Sequence, residues 1–226
     1  MIRWDAPGPY VVAFTTREGG VSTGAHASLN LGSRHDERER IVENRRLACE
    51  KLGLDHERVV ANRQRHTARV VRAHTGDVEV ADGLWTDEPG VPILALAADC
   101  VPIAVARTSG EPGLAVVHAG WRGLAAGVVE AGVAAIDGDT AAIVGPSIGP
   151  CCYRVGPEVS EQFDADLTRD GILDLWTAAE RALTRAGVAS VERVDLCTRC
   201  HPERFFSYRR TGAPHGAQGV IGTVAG

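Results

Sequence analysis

Three residues far apart in the chain, His66, Cys100 and His118, are of types that together could hold one metal ion. Two imidazoles and a thiolate leave a fourth position for water, the pattern of a catalytic rather than a structural zinc. The same set would bind copper(II) at least as well. A second chemistry is open to these residues. Cys100 as nucleophile with His118 as base is the pairing of a cysteine hydrolase or amidase. Another cysteine-rich stretch, Cys197-Thr-Arg-Cys200-His201, is spelled like a haem attachment site or half of a zinc ribbon. It lacks a second spaced pair, because Cys151 and Cys152 are adjacent, so no second metal site is expected.

The elements that must position these residues can be read from apolar runs. Ile93 to Cys100 and Gly113 to His118 are apolar strands that end in a candidate ligand. Val101 to Arg107 reads as a strand and Thr108-Ser-Gly-Glu-Pro-Gly113 as a turn, which together predict a hairpin. A turn centred on Gly110 and Glu111 puts its register within about two residues of a direct Cys100–His118 pairing. After His118, the run His-Ala-Gly-Trp-Arg-Gly123 leads into Leu124, Val128, Ala131 and Ala135 at helical spacing. Such a strand-to-helix turn exposes backbone N–H groups beside His118. A second glycine-rich loop, Gly145 to Tyr153, follows the strand Ala141 to Val144. A helix from Glu39 to Leu52 puts Ile41, Val42, Ala48, Cys49 and Leu52 on one stripe, with Arg45 in its middle. An inward guanidinium needs an anion or several acceptors.

The order of motifs adds to this reading. Phe-Thr-Thr-Arg-Glu-Gly-Gly-Val-Ser (14–22), Ser-Leu-Asn-Leu-Gly (28–32), Asn44-Arg45, Ala-Asp-Cys-Val-Pro-Ile (98–103), His-Ala-Gly-Trp-Arg-Gly (118–123), Gly145 to Tyr153 and Arg-Phe-Phe-Ser-Tyr-Arg-Arg (204–210) resemble the YfiH/YlmD, or laccase-domain, family over nearly the whole chain. The resemblance implies a zinc-dependent purine nucleoside enzyme whose metal ligands are His66, Cys100 and His118. Its implied reactions are phosphorolysis of adenosine, inosine and methylthioadenosine, and deamination of adenosine. Its partners would be purine nucleosides and inorganic phosphate. Arg45 is then the first candidate for phosphate, with Arg17 and Arg122 next and Asn30 and Gln64 as further substrate contacts. Asp99 and Asp82 are the carboxylates nearest in motif for proton transfer. Asp99 is expected to point away from Cys100, as neighbours in an extended strand do. One departure stands out: the family's Gln-Val-His-Gly reads Gln64-Arg-His-Thr67 here, which puts the loop presenting His66 in question.

Composition narrows the classes. A chain of 226 residues is long enough to bury one sizeable core, and residues 1–226 are read as a single catalytic domain. The net charge of −5 gives no electrostatic footprint for nucleic acid or an anionic membrane. No apolar stretch is long enough to span a bilayer and the N-terminal residues lack an apolar signal core, so a cytoplasmic location is expected. Eight histidines with no His-x-His pair cannot assemble a multi-copper cluster, so polyphenol oxidation would be a copper-dependent side activity. Many strands with late helices, from Pro157 and from Leu173 to Ala186, predict an α+β fold of mixed sheets packed with helices on the outer faces. A C-terminal strand pair is expected to close it. Trp4, Trp85 and Trp176 read as packing residues, and His26, His35, His56, His74 and His215 as solvated.

Overall fold

The computed structural model describes residues 1–32 and 35–226. Its centre is a pair of β-sheets packed face to face. The five-stranded sheet runs β1 (Ile2–Trp4), β2 (Tyr10–Phe14), β13 (Gln218–Val224), β6 (Ile93–Ala97) and β3 (Val60–Ala61). The six-stranded sheet runs β12 (Ser190–Arg193), β9 (Thr140–Val144), β7 (Val101–Arg107), β8 (Leu114–Ala119), β5 (Gly83–Thr86) and β4 (Val70–Arg72). Both are mixed: β3–β6, β4–β5 and β9–β12 are parallel and the other pairs antiparallel.

Strand alternation explains the layering. Ala104, Ala106, Leu114 and Val116 face Phe14, Ile93, Ala95 and Val220 of the other sheet, forming the inner core. Their neighbours Ile103, Val105, Ala115 and Val117 turn the other way. Those side chains meet α3 (Val128–Ile136) and α5 (Leu175–Arg185). On the opposite outer face, Ala13, Leu94 and Ile221 pack on Ala48 and Cys49 of α1 (Arg38–Glu50) and on Leu52 just beyond it. The result is a helix–sheet–sheet–helix sandwich whose central strands, such as β6, β7 and β8, are apolar on both faces, as doubly covered strands must be.

Most predicted elements are present, with physical reasons for the differences. The helix expected after His118 is two helices, α2 (Trp121–Ala125) and α3, because Gly127 takes a left-handed conformation (φ 87°). The stripe holds at Ala48 and Cys49 and at Leu52 just past the helix, whereas Val42 is 54% exposed. The C-terminal strand pair is one strand, β13; residues 204–217 form a strap with the short helix α6 (Tyr208–Thr211). That strap is pinned by the Gln218 amide, which accepts from Phe206 N at 2.8 Å and donates to Phe206 O at 3.0 Å. Two further short helical and strand pieces, α4 (Pro157–Ser160) and the β10–β11 ladder (Thr168–Arg169 and Ile172–Leu173), cover one end. Proline opens α4 as its fixed φ allows.

Candidate metal centre and adjoining cavities

One rim of the six-stranded sheet gathers the chemistry. It carries the ends of β8, β9 and β12 and the starts of β4, β5 and β7. His118 lies near the end of β8, opposite Pro102, and Cys100 stands just before β7. His66 comes from the β3–β4 connection. The ligand atoms of His66, Cys100 and His118 all lie within 4.8 Å of one another. Cys100 Sγ is 3.7 Å from His66 Nε2, and the two imidazoles meet edge to face with centroids 4.9 Å apart. Gly120 makes this possible: a Cβ there would stand 2.5 Å from His66 Cδ2 and 2.9 Å from Cys100 Sγ.

Asp82, immediately before β5, organises the cluster. Its side chain is fully buried, and its Oδ1 accepts from His118 Nδ1 at 2.8 Å and from His66 N at 2.9 Å. Oδ2 accepts from Arg65 N at 3.0 Å, Thr67 N at 2.7 Å and Thr67 Oγ1 at 2.8 Å. One carboxylate therefore fixes the tautomer of one ligand and the backbone of another, leaving His118 Nε2 for the cluster. A carboxylate behind a ligating imidazole is the usual support of a metal site. The same bonds answer the question raised by Thr67 in place of glycine. His66, rather than residue 67, takes the left-handed conformation (φ 61°), and the threonine hydroxyl adds a bond to Asp82.

The electrostatics follow from this packing. Burial opposes ionisation of Asp82, but bonds from His118, Thr67 and Arg65 outweigh it and hold the carboxyl well below the usual range. Burial also opposes charge on Cys100 and His118. The facing imidazoles nonetheless bring the thiol down to about 6. The thiolate and Asp82 bring His118 up to about 9. The donor set fits a divalent ion: two imidazoles and an easily formed thiolate converge on one point.

Two cavities flank the cluster and share His66, Ala98, Cys100 and Tyr208. One, of about 200 Å³, is walled by Trp121, Ile148, Tyr153 and Arg209. The other, of about 410 Å³, is walled by Gln64, Leu96, His118 and His215. Tyr208 is 55% exposed on the rim and meets His215 edge to face at 5.4 Å. A further cavity of about 410 Å³, beside Glu130, Gln162 and Arg185, has no histidine or cysteine in its wall.

The remaining sequence candidates are distributed differently from expectation. Arg17 spends its guanidinium on Ala27 O and Pro202 O and stacks on Phe206, so it braces loops. Asn30 is fully buried, donating to Asp36 and accepting from Gly32 N and Ala217 N. Gln64 exchanges both amide bonds with the backbone of Leu96 at 2.7 Å, tying the His66 loop to β6. Arg45 is half-buried, donates from Nε to Leu31 O at 2.8 Å, and lines neither cavity at the cluster. Asp99 lies outside the strands with φ 96°, so the alternation argument does not apply; it lines the smaller cavity with Cys100, and its oxygens accept from Thr198 Oγ1 and Arg209 N, both at 2.6 Å. Arg122 is exposed beside the site, stacked on Trp121 at 4.1 Å.

Several wall residues carry no role in the sequence reading, Trp121 and Tyr153 among them. Arg209 and Tyr208 stood in a quoted motif without an assigned role, and His215 was counted as solvated although it lines the larger cavity. His26 likewise is buried, at 8% exposure. No local signal marked Tyr208 or His215, because the strap that carries them is placed by β13 and not by its own periodicity.

A four-layer α/β/β/α sandwich with a His–Cys–His centre on one sheet rim is the class that fold and site define. Residues 11–224 match the family described as multi-copper polyphenol oxidoreductase laccase, and the chain belongs to this YfiH/YlmD, laccase-domain family. It is 34% identical over 225 residues to the purine nucleoside phosphorylase of Haemophilus influenzae, covering 92% of this chain and 91% of that protein. It is 36% identical over 234 residues to the purine nucleoside phosphorylase YlmD of Geobacillus stearothermophilus, covering 88% and 85%. Among solved structures, NMB0706 of Neisseria meningitidis superposes with a TM-score of 0.90 at 34% identity, over 99% of this chain and 97% of that one.

Proposed function

We propose that this protein is a zinc-dependent purine nucleoside phosphorylase that acts on adenosine, inosine and S-methyl-5′-thioadenosine, and also deaminates adenosine to inosine. The observation that carries it is the Asp82-supported His66–Cys100–His118 cluster between two cavities, in a chain whose relatives bear the phosphorylase name. His66, Cys100 and His118 would hold the ion, which when bound supplies Lewis acidity to the substrate at the junction of the cavities. Inorganic phosphate attacks C1′ of the ribose. The C1′–N9 bond breaks, and the base departs with the bonding electrons and takes up a proton. Arg209, in the cavity wall, and Arg122, at its edge, supply positive charge for the phosphate. Tyr208 offers an exposed ring on which a purine can stack.

Multi-copper oxidation suits the donors poorly. Among the described residues the groups able to hold a metal are this triplet and a set of four cysteines, with no further histidine in either. Copper-dependent oxidation remains a side activity of the triplet. One observation favours a second reading, the cysteine hydrolase: Asp82, His118 and Cys100 are arranged like a triad. His66 at 3.7 Å from the sulfur has no part in a triad but is what a metal site needs. Incubation of adenosine with and without phosphate decides the reaction. Adenine and ribose 1-phosphate should form only with phosphate, and slow inosine formation should be independent of it. Adenine release at the same rate without phosphate would make the enzyme a hydrolase.

A further inference from the structure

Four of the six cysteines lie together at the far end of the same rim. Cys151 and Cys152 follow β9, while Cys197 and Cys200 follow β12. These strands are parallel neighbours, and their pairing continues beyond the sheet through a Ser147–Cys197 bridge. Ser147 N donates to Leu196 O and Thr198 N to Ser147 O, which locks the two loops side by side. Adjacent cysteines in an extended strand would point apart. Here residues 149–153 turn tightly, with Cys152 N and Tyr153 N both donating to Gly149 O, so both sulfurs reach the other pair. The expectation that Cys151–Cys152 is a poor partner fails for that reason.

All four sulfurs lie within 4.8 Å of one another. Cys200 Sγ is 3.5 Å from Cys151 Sγ and 3.4 Å from Cys152 Sγ. Sulfurs at the corners of a tetrahedron with zinc–sulfur bonds of about 2.3 Å are separated by about 3.8 Å. A disulfide would pair two sulfurs at about 2.05 Å, and Cys200 is shared equally between two candidates. The spacing also suits one ion rather than a multi-iron cluster, which would hold its thiolates further apart. Cys197, 4% exposed, accepts a bond from Gly149 N at 3.3 Å, which holds its sulfur toward the other three. Arg199, between the two spaced cysteines, lies beside Cys152 and would offset part of the negative charge of four thiolates.

We propose that Cys151, Cys152, Cys197 and Cys200 form a second metal site, a closed four-thiolate structural site that takes one zinc ion. Its place gives it work to do. Tyr153, next to Cys152, walls the smaller cavity. Thr198, inside the Cys197–Cys200 pair, donates to Asp99, the neighbour of Cys100. Arg210 closes the loop on Thr198 O at 2.8 Å. The ion would tie together two loops that wall the first centre, without offering an open position for substrate.

The test is metal content and X-ray absorption on the intact protein and two variants. Cys100→Ser empties the first centre and should keep about one zinc per chain, with four sulfurs at about 2.3 Å. Cys200→Ser, at an exposed position, should lose about that one equivalent while the nitrogen- and sulfur-bound zinc of the first centre stays. Faster hydrogen exchange over residues 149–153 and 197–200 should accompany the loss. Cys100→Ser protein that is metal-free with its thiols titratable, or lighter by two hydrogens from a disulfide, would overturn the proposal. So would retained metal with oxygen or nitrogen neighbours. Failure here leaves the His–Cys–His centre untouched, since that metal is counted separately in Cys200→Ser.

Discussion

Asp82→Asn removes one charge and no volume, yet it should weaken the centre although Asp82 is not one of its ligands. The carboxylate accepts five bonds in the structure, two at Oδ1 and three at Oδ2. An amide can accept at one end only. With its nitrogen at the Oδ2 position it confronts the N–H groups of Arg65 and Thr67, while the Thr67 hydroxyl can rotate to accept. Two part-buried donors without acceptors cost about 1–3 kcal/mol each, so metal-free stability should fall by about 2–6 kcal/mol, the upper end being reached only if water is kept out. With the nitrogen at the Oδ1 position, His118 Nδ1 must become the acceptor. The ring proton then moves to Nε2, the atom the metal needs. Either way zinc affinity should fall about 10- to 100-fold, the usual effect of removing a ligand's supporting carboxylate. Titration of metal-free protein against a competing chelator, beside urea unfolding of the same sample, measures both. Unchanged zinc affinity in a folded Asp82→Asn protein would refute the role given to Asp82.

Gly120→Ala should abolish metal binding while leaving the sheets folded, because its Cβ meets His66 and Cys100 within 3 Å; metal content and circular dichroism read the two effects. Zinc affinity should rise about tenfold per pH unit from 7 to 9, because His118, brought up to about 9, must lose one proton to bind while Cys100, at about 6, is already ionised. Chelator competition across that range checks it, and a flat profile would mean that His118 binds no proton there. Arg122→Lys should raise the phosphate KM about 10-fold through loss of a two-pronged contact. Arg45→Lys should leave it unchanged, since Arg45 serves Leu31 O.

What the sequence disclosed and what it hid follow one physical line. Strands covered on both faces are written as apolar runs, so β6, β7, β8 and β9 were legible, and with them the positions of Cys100 and His118. The hairpin register could be worked out because its turn is short. Polar residues in the quoted motifs were harder to read, since a buried loop needs donors and acceptors as much as a substrate does. Arg17, Asn30 and Gln64 meet backbone groups, and Asn44 is wholly buried, donating to Ser22 Oγ, Ser28 O and Asn30 O and accepting from Val21 N. Sequence alone does not distinguish such a residue from a ligand. The four-cysteine set was hidden for another reason: it depends on parallel pairing of β9 with β12 and on a turn at Gly149, both non-local to the Cys–x–x–Cys spelling. Asp82 was marked only as a nearby carboxylate, and its hold on both histidines depends on where β5 begins.

The central claim is that phosphorolysis depends on the ion at His66, Cys100 and His118. It is tested most directly by measuring zinc content and phosphate-dependent release of hypoxanthine from inosine on the same preparations of the unaltered protein and Cys100→Ser. A hydroxyl is a far poorer zinc ligand than a thiolate. The folded variant should therefore lose about one equivalent of zinc together with the activity, leaving less than about a hundredth of the rate. Full zinc content in Cys100→Ser, or undiminished hypoxanthine release after the zinc is lost, would contradict it.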